Sequence, residues 1–141
     1  MLLSIERVLV LKSVHAFTAL SDEQLMELAS GMRESRFEAG EALMLQGDGG
    51  RSVFVIVSGE VKVIRDGVLV TRLGEREIVG ELAAFDPHPR SATVTAIRPT
   101  HTLELGNHHM EWLMAHDMGM LRAVIQLLCR RLRAGDAGDG A

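Results

Sequence analysis

Hydrophobic spacing changes twice along the chain. As far as about residue 33 the apolar positions recur at helical intervals; from about 36 to 105 short Val- and Ile-rich runs stand between glycines; from about 107 to 133 the helical interval returns. Ile5, Val8, Leu9 and Lys12 predict a short amphipathic helix. A second begins at Ser21-Asp22-Glu23-Gln24, a capping box in which the Ser21 hydroxyl accepts the Gln24 amide and the Gln24 side chain reaches back. Leu20 and Leu25 suit the hydrophobic staple, and Leu25, Leu28 and Ala29 the core-facing stripe. In the middle, glycines at 47, 59, 67, 74 and 80 divide runs of strand length. Val53 to Val57 is apolar on both alternating faces, so it predicts a central, covered strand. Asp66-Gly67, between Val61–Arg65 and Val68–Arg72, predicts a two-residue hairpin, because a type I′ turn needs positive φ at both positions. Ser91 to Arg98 and His101 to Leu105 read as extended runs on either side of Pro99, with Asn107 as N-cap of the helix that follows. Leu121, Val124, Ile125, Leu128 and Leu132 make the apolar stripe of the last helix.

These elements predict a mainly β fold with flanking helices: a β-roll, jelly-roll-like or double-stranded β-helix, with N-terminal helices and two C-terminal helices. At 141 residues the chain suits one domain over 1–133, organised as 1–33 helical, 36–105 roll and 107–133 helical, with 134–141 as a flexible Ala-, Gly- and Asp-rich tail. A domain of this size buries roughly two-thirds of its unfolded surface and needs no covalent staple. The single cysteine, Cys129, agrees and points to a reducing, cytoplasmic setting. The longest aliphatic and aromatic run, Val53 to Val57, is far short of the ~18 residues that signal a membrane span. Glu6, Arg7 and Lys12 break up any secretory signal. The net charge of −4 offers DNA no attractive field, and the basic cluster is confined to Arg130, Arg131 and Arg133, so an anionic ligand has to be held by a local cation.

One segment carries such a cation in a recognisable setting: Gly80-Glu81-Leu82-Ala83-Ala84-Phe85-Asp86-Pro87-His88-Pro89-Arg90-Ser91-Ala92-Thr93. Gly80 lets backbone approach a ligand, residues 82–85 suit one helical turn whose free amides face an anion, and the Arg90 guanidinium can make two parallel hydrogen bonds to a phosphate. The segment resembles the phosphate-binding cassette of cyclic nucleotide-binding domains. Leu11–Val14, Phe17 and Leu20–Leu25 resemble the helical entry of such domains, and Phe54–Val63 their central strand, glycine turn and next strand. The resemblance implies a ligand set of Gly80, Glu81, Leu82, Ala83, Arg90, Ser91, Ala92 and Thr93, with Arg90 on the phosphate and Glu81 on the ribose 2′-hydroxyl. It further implies a cyclic nucleotide ligand, cyclic AMP favoured over cyclic GMP, and a last helix whose residues Leu128 to Arg133 act as a lid. No further cofactor is implied. Ser91 does not decide the base.

The remaining chemistry-bearing residues read as structural. His15, His88, His101, His108, His109 and His116 show no metal-ligand spacing. Cys129 and Trp112 are expected to pack, and Met110, Met114, Met118 and Met120 to fill core. No nucleophile, base and orienting group occur together, so the chain is read as a non-enzymatic regulatory domain. Its partners are then a cyclic nucleotide and an effector, either in a longer chain or in another protein; it does not bind DNA alone, and the last helix could pair with that of a second copy. The alternative is a roll that has lost nucleotide binding and serves as an interaction module. Pro87-His88-Pro89, which stiffens the cassette, and the small Ala84 motivate it.

Overall fold

The computed structural model describes residues 1–50, 52–80 and 89–135, apart from the side chains of Ala16, Leu127, Arg131 and Ala134. The chain runs α1 (Ser4–Lys12), a 3₁₀ turn (His15–Phe17), α2 (Asp22–Ser30), β1 (Met32–Phe37), β2 (Ala42–Met44), β3 (Val53–Ser58), β4 (Val61–Arg65), β5 (Val68–Leu73), β6 (Ile78–Val79), β7 (Thr93–Ala96), β8 (Thr100–Leu105), α3 (Asn107–His116) and α4 (Met118–Gly135). Among the described residues the strands form two antiparallel sheets, ordered β1-β8-β3-β6 and β2-β7-β4-β5. This is the predicted β-roll with helices at both ends.

Strand β3 explains why the two halves hold together. It lies between β8 and β6, and its alternation divides it between two apolar cores. Phe54 and Ile56 point between the sheets, where they meet Val61, Val63, Val79, Ala92 and Val94. Val55 points the other way, against Leu103, Leu105 and the helices. Both faces are therefore covered, as the continuous apolar run predicts. The β4–β5 hairpin turns at Asp66 (φ 53°) and Gly67 (φ 79°), the type I′ geometry expected from the dipeptide.

The helical core gathers Val8 and Leu11 of α1, Leu25, Leu28 and Ala29 of α2, Met110 and Leu113 of α3, and Met120, Ala123 and Val124 of α4. The Ser21 capping box is formed: Ser21 Oγ accepts from Gln24 N–H at 3.1 Å and Gln24 Oε1 accepts from Ser21 N–H at 2.9 Å. The staple residues Leu20 and Leu25 are both buried.

Several expectations are corrected. The face of α1 that packs is Val8 with Leu11, while Ile5 and Leu9 are exposed, because the docking direction onto α2 selects the i, i+3 pair. Strand β1 begins at Met32, ahead of the expected start near 36, since pairing with β8 overrides its polar composition. Gly106, not Asn107, is the N-cap of α3, and Asn107 is already helical. Trp112 is exposed and stacks on His116 at 4.3 Å instead of anchoring the core. Cys129 is exposed. Met110 and Met120 fill core as expected, whereas Met118 does not. Helix α4 continues through Gly135; the rest of the predicted tail, 136–141, lies outside the described residues. Among the described residues no helix is long and apolar enough to cross a membrane.

A polar cluster fastens the N-terminus to the roll. Glu34 of β1 accepts from the Leu2 amide, meets His101 Nε2 of β8 at 2.8 Å and lies 3.6 Å from Arg7 Nη2, while Arg7 Nη1 donates to the Met32 carbonyl at 2.6 Å. The Leu2 amide bond, with the His101 contact and the N-terminal charge, outweighs desolvation and holds the Glu34 carboxyl below its usual range. A carboxyl depressed on folding contributes stability in full above its unfolded pKa and loses it as pH falls through the folded value. Glu34→Gln is therefore expected to lower stability at neutral pH. In denaturant titrations the gap between the variant and the unaltered protein should close as the pH falls below about 4; a gap that stays constant with pH would show that Glu34 acts by packing alone.

Candidate functional site

Arg90 is held by its backbone first. Its N–H donates to the Asp48 carbonyl at 2.7 Å and its own carbonyl accepts from Gly47 N–H at 2.8 Å, so the glycine-rich loop between β2 and β3 grips it from both sides. The residue is only 6% exposed. Nη2 donates to the Ser52 carbonyl at 2.9 Å. Nε and Nη1 are buried and have no hydrogen-bond partner among the described residues. Burial lowers the Arg90 pKa, and the charge of Glu104 opposes this. Glu104 itself is paired to Arg33 at 2.9 Å, so it does not neutralise Arg90 by contact. A guanidinium remains charged under any such shift, and a cation out of water with two unpaired donors is destabilising by several kcal/mol. Donors held in one rigid plane suit the oxygens of an anion such as a phosphate.

The space beside those donors is kept by Gly80, which follows β6 with φ +81°. A Cβ there would come within 2.8 Å of Arg90 Nη1, 3.1 Å of the Met44 methyl and 3.2 Å of the Ser52 carbonyl. The positive φ and the close approach both require glycine. Ser91 is exposed, and its carbonyl accepts from Arg65 Nε at 3.3 Å. Ala92 is buried between the sheets, and Thr93 Oγ1 accepts from Gln46 N–H at 2.9 Å. Glu81, Leu82 and Ala83, with the expected helical turn at 82–85, lie outside the described residues. Of the sequence-predicted set, the structure brings Gly80 and Arg90 into contact distance and sets Ser91 to Thr93 along the entry to β7.

Sequence reasoning missed the groups that hold Arg90: the carbonyls of Asp48 and Ser52 and the Gly47 amide. Backbone groups have no residue-type signature. The one available signal was the run Gln46-Gly47-Asp48-Gly49-Gly50 just ahead of β3. The proposed lid residues stand beside the N-terminal helices. Leu128 packs on the helical core, and Cys129, Arg130 and Arg133 line a hollow of about 430 Å³ with Thr18, Ala19, Ile125 and Gln126. Among the described residues no three His, Cys, Asp or Glu side chains are grouped to hold a metal ion.

Comparison with known proteins identifies the family of this fold. Residues 34–117 match the cyclic nucleotide-binding domain. The chain is 36% identical over 83 residues to a cAMP-dependent protein kinase regulatory subunit of Yarrowia lipolytica, across 59% of this chain and 22% of the relative. It is 26% identical over 129 residues to a CRP-like cAMP-activated global transcriptional regulator of Mycobacterium tuberculosis, across 88% of this chain and 58% of the relative. It thus spans between about a fifth and three fifths of the length of these relatives, both of which are regulators. The N-terminal domain of a transcriptional regulator from Streptomyces coelicolor superposes with a TM-score of 0.79 at 35% identity, covering 94% of this chain and 99% of that one. With more than half its length matched and the fold shared throughout, the chain belongs to the cyclic nucleotide-binding domain family.

Proposed function

We propose that residues 1–133 form a non-catalytic sensor unit that binds a cyclic nucleotide, cyclic AMP in preference to cyclic GMP, and passes the binding on through its C-terminal helix. The observation that carries this reading is the buried Arg90 guanidinium, with Nε and Nη1 unpartnered among the described residues beside Gly80. Arg90 binds the cyclic phosphate, Glu81 accepts from the ribose 2′-hydroxyl, and the backbone of Gly80, Leu82 and Ala83 and the entry residues Ser91, Ala92 and Thr93 complete the ligand set. The preference for cyclic AMP leans on the two regulators named for that nucleotide.

The output is mechanical. Contacts made only with the closed helix shift a pre-existing equilibrium, with a coupling of typically 1–3 kcal/mol. Leu128 to Arg133, now beside the N-terminal helices, are the segment that relocates over the base. The effector is a further domain or a partner protein in the cytoplasm, and the domain does not bind DNA alone. A second copy is held through α4, where Met118, Leu121, Ile125, Leu128 and Leu132 follow the alternating three- and four-residue steps of a coiled-coil seam. Of these, Met118 is 70%, Ile125 51% and Leu132 73% exposed.

Calorimetric titration of nucleotide-stripped protein with cyclic AMP and cyclic GMP tests the reading. Micromolar or tighter binding, stronger for cyclic AMP, is expected; a folded sample giving neither heat nor thermal stabilisation with either nucleotide would assign the roll to an interaction role. Arg90→Met should lose about 1.5–3 kcal/mol of affinity, as expected for a charge-assisted contact, yet melt no lower than the unaltered protein without ligand, because it removes a buried charge that no described carboxylate pairs. Full affinity in that variant would remove Arg90 from the phosphate site. Sedimentation is expected to show a dimer that Ile125→Glu converts to a monomer; a monomeric unaltered chain would rule out the seam.

A further inference from the structure

The Arg90 loop is tied to a distant turn by one exposed side chain. Gln46 Nε2 donates to Asp66 Oδ1 at 2.7 Å, and Gln46 Oε1 accepts from Asp66 N–H at 2.9 Å. The carboxamide thus meets the αL residue of the β4–β5 turn as a second backbone would, with a donor and an acceptor side by side. The Gln46 amide donates to Thr93 Oγ1 at 2.9 Å. The two residues that follow, Gly47 and Asp48, make the paired backbone bonds to Arg90. From the other side, Arg65 Nε donates to the Ser91 carbonyl at 3.3 Å. Gln46 therefore stands where the hairpin turn, the β2–β3 loop and the segment Arg90–Thr93 converge.

We propose that Gln46 is a positioning residue for the anion site: by clamping Asp66 it fixes the loop whose backbone aims the Arg90 guanidinium. The role rests on the nucleotide-binding reading for its functional consequence, but the clamp itself is a property of the ligand-free fold. Gln46 touches no ligand; it acts through Gly47 and Asp48. A loop released from the turn still reaches Arg90 but no longer holds it in one orientation, so the guanidinium loses its fixed aim.

Amide hydrogen exchange tests the clamp without any nucleotide. In Gln46→Ala the amides of Gly47 and Arg90 are expected to exchange about tenfold faster or more, while those of β3 and β8 keep their protection; unchanged exchange at Gly47 and Arg90 would overturn the proposal. Affinity for cyclic AMP tests the consequence. Gln46→Ala should weaken binding about three- to tenfold, as expected for two lost hydrogen bonds, and the effect should shrink to within about twofold in an Arg90→Met background. An equal loss in both backgrounds would show that Gln46 does not act through Arg90. Gln46→Glu alone sets two carboxylates against each other and should weaken binding. Combining it with Asp66→Asn restores a donor opposite an acceptor and should recover the affinity, which a merely structural defect would not do. If the unaltered chain takes up neither cyclic nucleotide, the nucleotide reading fails, while the exchange result still decides the clamp.

Discussion

A charged guanidinium placed inside the protein, with two of its nitrogens unpaired among the described residues, is the constraint around which the rest is arranged. Among the described residues Arg90 has one side-chain hydrogen bond, to the Ser52 carbonyl, and two backbone bonds that fix where its side chain begins. Left to itself, such a group would swing out to water or find a carboxylate. Its swing is limited by the backbone bonds on both sides, and the carboxylate whose charge acts on it, Glu104, is paired with Arg33. As far as the described residues go, the folded state carries an electrostatic penalty at one point, which the proposed phosphate ligand would relieve. Gly80 leaves beside Arg90 the space that a Cβ would fill.

Rigidity around that point comes from the two cores that share β3. The inter-sheet core fixes Ala92 and Val94 immediately after Arg90 and fixes Val79 immediately before Gly80. The described residues on either side, next to Gly80 and after Arg90, are thus anchored in packed side chains. The helical core is built on the opposite face of β3, and α4 is part of it through Met120, Ala123 and Val124. At its start, α4 is also held by polar contacts: Asp117 Oδ1 accepts from Met120 N–H at 3.1 Å and from Gln24 Nε2 at 2.8 Å. The helix assigned the output role is joined to α2 at its N-terminus, while its exposed residues become more frequent toward its C-terminal half. A helix fixed at one end and less buried at the other is suited to pivot.

What could be read from the sequence was what is encoded locally. The Ser21 capping box, the Asp66-Gly67 turn and the doubly apolar β3 each depend on contiguous residues, and each is present. The approach of Gly80 to Arg90 was legible for the same reason, since the two lie on one short stretch. Contacts between distant segments were not legible. Glu34, His101 and Arg7 come from β1, β8 and α1, and no spacing rule links them. Ile5 and Leu9 carry the right period, yet the direction in which α1 docks leaves them outside. Trp112 and Cys129 were assigned to packing by residue type, and their exposure follows from which face of each helix meets the core. The grip on Arg90 by Asp48, Ser52 and Gly47 was hidden because it uses backbone atoms.

The central claim is that the Arg90 guanidinium receives the ligand phosphate. The most direct measurement follows the Arg90 Nε–Hε resonance of 15N-labelled protein, assigned by comparison with Arg90→Lys, as cyclic AMP is added. The account predicts a saturable shift of that resonance, at the same concentration as the binding heat, with slowed exchange of the Nε proton with water. Binding heat that saturates while the Arg90 Nε–Hε signal stays in place would contradict it.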